Sequence, residues 1–263
     1  MPDRRTHRGP HPEDEHLFAG SQCVVLRRAV ADLCWLLDRG YPAESSLRLV
    51  GDRYALRQRQ RVAVGRCAAS RMQVERRQAR LVSPARLCNA ELCLDGYNVL
   101  TTVEAALAGG VVLAGRDGAY RDMASMHGSY RKVAETEPAL LLVGRTLHAL
   151  STARSVWYLD RPVSNSGRLQ QMMRRLAAEH GWNWSVELVD DPDGVLSRCE
   201  AIVATSDSGI LDRCGPWCNL ARIVIDSSIA QAWLLDLAAD VEAPQLAAPR
   251  AARQTEPADD AVD

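Results

Sequence analysis

Five apolar runs in this sequence end in acid. "AELCL" runs into Asp95, "SVWYL" into Asp160, "WSVELV" into Asp190, Asp191 and Asp193, "AIVATS" into Asp207, and "ARIVI" into Asp226. If these runs are strands of one parallel sheet, their C-terminal ends share an edge, where open α/β folds bind ligands. Two carboxylates about 4 Å apart repel by roughly 4 kcal/mol at an effective dielectric near 20, so an acidic cluster must take up protons or hold a cation. No ordered set of His or Cys accompanies the acids, which points to a hard, oxygen-seeking ion, Mg²⁺ or Mn²⁺. Such an ion activates water and stabilises charge on a phosphoryl oxygen. The competing explanation is local: an aspartate after a strand caps the next helix by accepting backbone N–H bonds.

The elements that must position these acids follow from periodicity. From residue 16 to about 80 the pattern is helical, with Leu26, Val30, Leu33, Leu36 and Leu37 at three-and-four spacing before Gly40 and Pro42. "SSLRLVGDRYAL" supplies a second element and "RQRQRVAVGRCAASRMQVERRQ" a third, and Pro84 marks a junction. Beyond Leu87, apolar runs alternate with amphipathic helices expected at Val99 to Ala108, Arg168 to His180, Pro192 to Cys199, Gly209 to Arg213 and Ile229 to Leu237. That alternation predicts an α/β fold with a parallel sheet covered on both faces. The expected organisation is a flexible start over 1–15, a helical domain over 16–84, an α/β domain over 87–240 and a disordered tail over 241–263. The polar, Gly-rich stretch 115–132 is long enough to be a functional loop.

Composition sets limits on partners. The chain has 263 residues, 47% of them apolar, with a formal net charge of −1, so its surface as a whole does not attract nucleic acid. The arginines are concentrated between Arg48 and Arg86, a block that suits either phosphate contact or a solvated helix face. No run reaches the roughly 18 apolar residues of a membrane span, and the start lacks a signal-peptide core, so a cytoplasmic location without membrane contact is expected. The eight cysteines show no repeated short spacing, and "CGPWC" (214–218) is read as structural.

Several of these motifs resemble known families. "LDGYNVL", "VWYLDRPVSNSG" and "IVATSDSGI" resemble strand ends of the PIN-like nuclease fold, in particular its NYN branch. Over about residues 8–228 the chain also resembles a prokaryotic family of unknown function, domain of unknown function 434, in "RGPHPEDEHLF", "LLDRGY" and "LVGDRYALRQRQR". The resemblance implies a three-layer PIN-like domain after the helical one. It also implies that Asp95, Asp160 and Asp207 are catalytic acids and metal ligands for Mg²⁺ or Mn²⁺. Asp193 fits a fourth ligand best, with Asp190 and Asp191 as rivals. Glu104 is expected to face solvent or a neighbouring loop.

Candidates for holding substrate are Asn98, Ser164, Asn165, Ser166, Ser206, Arg116 and Arg121. The run Ser164 to Gly167 precedes a helix and could serve an anion or simply cap that helix. Asn98 could orient Asp95 or cap its own helix. Asp117, His127, Tyr130, Arg131 and Lys132 populate the middle loop, as a phosphate contact or as solvated polar surface. The expected function is metal-dependent hydrolysis of phosphodiesters, in RNA more than DNA, with homo-oligomerisation left open. The alternative is a non-catalytic protein that binds a nucleotide or nucleic acid on the same fold. A phosphatase of the haloacid dehalogenase type is disfavoured because "LDGYN" lacks an Asp-x-Asp motif.

Overall fold

A computed structural model describes residues 8–124, 130 and 132–238 of the chain. The start of the chain (1–7), His127, Arg131 and the stretch expected to be a disordered tail lie outside the described residues. The helical region begins with α1 (Asp14–Leu17), α2 (Gly20–Asp38) and α3 (Ala43–Arg53). The third element expected there is in fact two helices, α4 (Gln58–Cys67) and α5 (Arg71–Arg80). Ser70 breaks the run: its backbone is extended, its side chain accepts from Gln73 N, and Gln73 returns a bond to its backbone in a capping box.

After a 3-10 turn at Pro84–Leu87 come β1 (Glu91–Asp95), α6 (Gly96–Leu107), β2 (Val111–Ala114), β3 (Tyr120–Asp122) and α7 (Thr136–Ala149). They are followed by β4 (Arg154–Asp160), α8 (Ser166–His180), β5 (Trp184–Val189), α9 (Pro192–Ser197) and β6 (Ile202–Ala204). The last elements are α10 (Ser208–Leu211), β7 (Trp217–Cys218), α11 (Leu220–Ser228) and β8 (Trp233–Asp236). The main sheet has the order β5-β4-β1-β6-β7, and every pairing in it is parallel. Its central strands are buried on both faces, consistent with a three-layer α/β fold: Leu92 and Leu94 share one core with Trp157, Leu100 and Met173, whereas Cys93 packs with Val203, Leu196 and Trp217.

Two expected elements are different in the structure. "ARIVI" is not a strand but part of α11, whose Leu220, Ala221, Val224 and Ile225 form one buried stripe. A short apolar run is compatible with either period, and here the helical spacing prevails. Conversely, the expected helix from Ile229 to Leu237 contains the strand β8, in which buried Leu235 lies between exposed Leu234 and Asp236, and buried Leu237 follows directly. β8 lies parallel to β2, which pairs antiparallel with β3, giving a second, three-stranded sheet that the sequence did not announce.

This small sheet connects the helical region to the rest. Val111, Leu113, Met123, Leu235 and Leu237 share one core with Leu26, Val30, Leu33, Val50 and Val64 of the helices. A buried ion network reinforces the contact. Arg77 of α5, 1% exposed, donates to Asp117 at 2.7 Å and to Asp212 at 2.8 Å, and Asp117, 2% exposed, also accepts two bonds from Arg121. Much of the arginine block is used in this way: Arg59 pairs with Asp14, Arg61 with Asp52, and Arg80 donates to the carbonyl of Cys214. Among the described residues, no helix is long and apolar enough to cross a membrane.

Candidate active site

In the main sheet β1 sits between β4 and β6, and the chain leaves β1 on one side and returns on the other, so a crevice opens at the C-terminal ends of these three strands. A cleft of about 480 Å³ lies there, lined by Asp95, Asp160, Asp193 and Asp207 together with Asn98, Ser206, Thr101, Tyr158, Arg66 and Asp122. The four acids predicted from the sequence therefore face one space. Gly96 makes the arrangement sterically feasible: a Cβ at this position would come within 2.5 Å of Leu159 Cδ2 and 2.8 Å of the Tyr158 carbonyl. Only glycine lets α6 leave β1 so close to β4.

Helix capping accounts for some of these acids and not for others. Asp207 Oδ1 accepts from Ile210 N at 3.0 Å, and Asp191 Oδ1 accepts from Gly194 N at 2.9 Å, so both are N-caps. Asp95 precedes α6 without a capping side-chain bond; its Oδ2 accepts the Thr205 hydroxyl at 2.7 Å. Thr205 Oγ1 in turn accepts from Asp207 N at 3.0 Å, which ties the ends of β1 and β6 together. Asp160 Oδ1 is buried and, among the described residues, has no hydrogen-bond partner.

Electrostatics follow from this crowding. Burial first, then the charges of Asp207 and Asp193, push the Asp95 carboxyl up to about 7, against the lowering bond from Thr205. Burial and the Asp207 charge raise Asp193, and burial and Asp190 raise Asp160. The ligating atoms the cleft offers are oxygens, as a hard divalent cation requires, and the orphaned Asp160 oxygen and the strained ionisation of Asp95 both fit such a guest. The acids are not closed into a cage, however: among the described residues, no three His, Cys, Asp or Glu side chains form a group ready to hold a metal ion.

The remaining predicted residues divide by location. Asn98 and Ser206 are in the cleft and bonded to each other, with Asn98 Oδ1 accepting from Ser206 N at 2.8 Å and from its hydroxyl at 2.9 Å. Arg121 also borders the cleft, but its guanidinium is held by Asp117 and by the Ser206 carbonyl at 2.8 Å, so it supports the β6–α10 turn from behind. Arg116 is not brought to the cleft; it donates to the Ala69 carbonyl at 2.8 Å. Ser164, Asn165 and Ser166 stand beyond the cleft lining formed by Pro162 and Val163. Asn165 has φ 69° and donates to the Tyr130 carbonyl at 3.3 Å, while the Ser166 hydroxyl donates to the Arg161 carbonyl at 3.2 Å.

Of the three rival acids after β5, only Asp193 lines the cleft. Asp190 is exposed and pairs with Arg161 at 3.5 Å. Asp226, which would have been a strand-end acid, lies instead on α11, bonded to the Tyr120 hydroxyl at 3.0 Å and to Arg222 at 3.2 Å. Glu104, expected to face solvent or a loop, is fully buried: Arg8 Nε donates to it at 2.6 Å, the Thr136 hydroxyl at 2.6 Å, and the hydroxyl of the loop residue Tyr130 also donates. Residues the sequence reading overlooked are Thr205, Asp122 and Arg66. Asp122 accepts from Thr101 at 3.0 Å and Thr102 at 3.1 Å, and Arg66 donates to the Ala124 carbonyl at 2.8 Å. A single acid in a polar, Gly-rich stretch has no periodic signal, but the threonine beside a strand-end acid could have been noticed.

Fold and cleft together define an α/β protein with an acidic crevice at the C-terminal edge of a parallel sheet. Residues 84–223 match the family described as a domain of unknown function (DUF5616), more than half of the chain, and the chain belongs to that family. Residues 25–80 match the family described as a protein of unknown function (DUF434), so the helical region and the sheet region correspond to separate families. The chain is also similar to an uncharacterized protein of Methanocaldococcus jannaschii, 28% identical over 188 residues that cover 72% of this chain and 89% of the relative. No solved structure matches the chain.

Proposed function

We propose that the protein is a metal-dependent phosphodiester hydrolase, a PIN-like nuclease acting on RNA in preference to DNA. The observation that supports this reading is the convergence of Asp95, Asp160, Asp193 and Asp207 on one cleft. A pure anion binder gains nothing from gathering carboxylates. The preference for RNA and the PIN-like assignment derive from the motif resemblance in "LDGYN" and "TSDSG". Asp95, Asp160, Asp193 and Asp207 would hold Mg²⁺ or Mn²⁺, which supplies Lewis-acid polarisation of the phosphodiester and activation of water. Thr205 fixes the rotamer of Asp95 through its 2.7 Å bond, and Ser206 fixes Asn98, whose amide side chain borders the substrate space. Arg66 lines the same wall with its charge paired to Asp122 at 3.5 Å.

The second reading, a non-catalytic binder of a nucleotide or nucleic acid, is favoured by the lack of a ready-made three-residue metal group among the described residues. One experiment separates the two. Purified protein is incubated with labelled single-stranded RNA and DNA in Mn²⁺, beside Asp95→Asn and Asp207→Asn. The hydrolase reading expects cleavage that EDTA stops and both variants lose. Intact substrate that is nevertheless bound, with equal affinity in all three proteins, rejects it in favour of the binder.

A further inference from the structure

Cys93 and Cys199 are 106 residues apart in sequence, yet their sulfurs are in direct contact at 2.7 Å. Cys93 is buried in the middle of β1, walled by Val203, Leu196, Cys214 and Trp217. Cys199 follows α9 and is only partly buried, in contrast to Cys93. Both cysteines are free thiols here. Their placement is not incidental to the cleft: β1 ends in Asp95 and α9 carries Asp193.

We propose that Cys93 and Cys199 form a thiol–disulfide exchange site whose co-reactant is a small external disulfide. The Cys199 thiolate attacks one sulfur of the external disulfide, forming a mixed disulfide and releasing one small thiolate. The Cys93 sulfur then attacks the Cys199 sulfur, forming the intramolecular bond of about 2.05 Å and releasing the second small thiolate. The two protons lost by the cysteines end on the two small thiols, so two cysteines are oxidised while one disulfide is reduced. The product joins β1 to the segment after α9. The site stands on the contact between the sulfurs and is independent of the hydrolase reading.

The test uses the full chain and oxidised glutathione as the probe. After exposure, remaining thiols are blocked with N-ethylmaleimide and the protein is digested for non-reducing mass spectrometry. The proposal expects a linked peptide pair joining Cys93 to Cys199 that dithiothreitol separates. It also expects Cys93→Ser to stop with glutathione attached to Cys199, and Cys199→Ser to leave Cys93 unmodified. Because Cys93 is buried and its variant could fail to fold, the Cys199→Ser variant and the map of the unaltered protein suffice without it. The proposal is overturned if Cys199 accumulates glutathione without forming the link, if neither cysteine reacts, or if either is linked to a different cysteine.

Discussion

The Thr205 hydroxyl donates to Asp95 Oδ2 at 2.7 Å across 110 residues of sequence, and Thr205 Oγ1 itself accepts the backbone N–H of Asp207 at 3.0 Å. One small side chain thus joins two cleft acids from neighbouring strands. Thr205→Val keeps the shape and removes both bonds. Each buried bond of this kind contributes roughly 0.5–1.5 kcal/mol, so a loss of about 1–3 kcal/mol is expected in urea denaturation. Losing a donor that favours the carboxylate also pushes the Asp95 carboxyl further up, so the acid limb of any pH–activity profile moves to higher pH.

The raised Asp95 carboxyl makes stability depend on pH. Its folded value of about 7 lies above the ordinary 3.8, so between these pH values the folded state binds more protons than the unfolded state. This group therefore costs stability progressively as pH rises from about 4 to about 7, with a slope of at most about 1.4 kcal/mol per pH unit. Asp160 and Asp193 are raised too and act in the same sense. Urea midpoints at pH 5 and pH 8 should fall in metal-free protein, and the drop should shrink in Asp95→Asn. An unchanged drop would show that Asp95 ionises freely.

Arg77 tests the connection between helical region and sheet. Its guanidinium is buried between Asp117 and Asp212, so Arg77→Ala removes one partner from each: Asp117 keeps Arg121, and the partly exposed Asp212 keeps Gln73 and Arg76. A loss of about 1.5–3 kcal/mol is expected, measured by denaturant unfolding. Arg57→Ala, which breaks the exposed pair with Glu13, should change the midpoint little.

Asp190 and Asp193 form a matched pair of controls three residues apart. Asp193→Asn should weaken the rise in melting temperature caused by Mn²⁺, because Asp193 lines the cleft. Asp190→Asn should leave it unchanged, because Asp190 is exposed and paired with Arg161. Equal effects of both would place the ion outside the cleft.

How much of this was readable in the sequence depends on the element. The main strands announced themselves because parallel strands buried on both faces are continuous apolar runs, as in Leu92–Leu94 and Val156–Leu159. Once those strands are parallel, the convergence of Asp95, Asp160 and Asp207 follows from topology. Sequence periodicity misread α11 and β8, where four or five apolar residues fit either period and tertiary pairing decides. Burial of Glu104 was not legible either, since its partners Arg8, Tyr130 and Thr136 come from separate parts of the chain. The arginine block read as one feature and is several: long-range ion pairs hold Arg59 and Arg77, Arg80 donates to the Cys214 carbonyl, and Arg66, paired with Asp122, reaches the cleft.

If the four acids hold one divalent metal ion, a crystal of the protein soaked in Mn²⁺ shows it. An anomalous peak is expected in the cleft with carboxylate oxygens of Asp95, Asp160 and Asp207 at about 2.0–2.5 Å. A soaked crystal with those carboxylates as they stand here and no peak between them would contradict it.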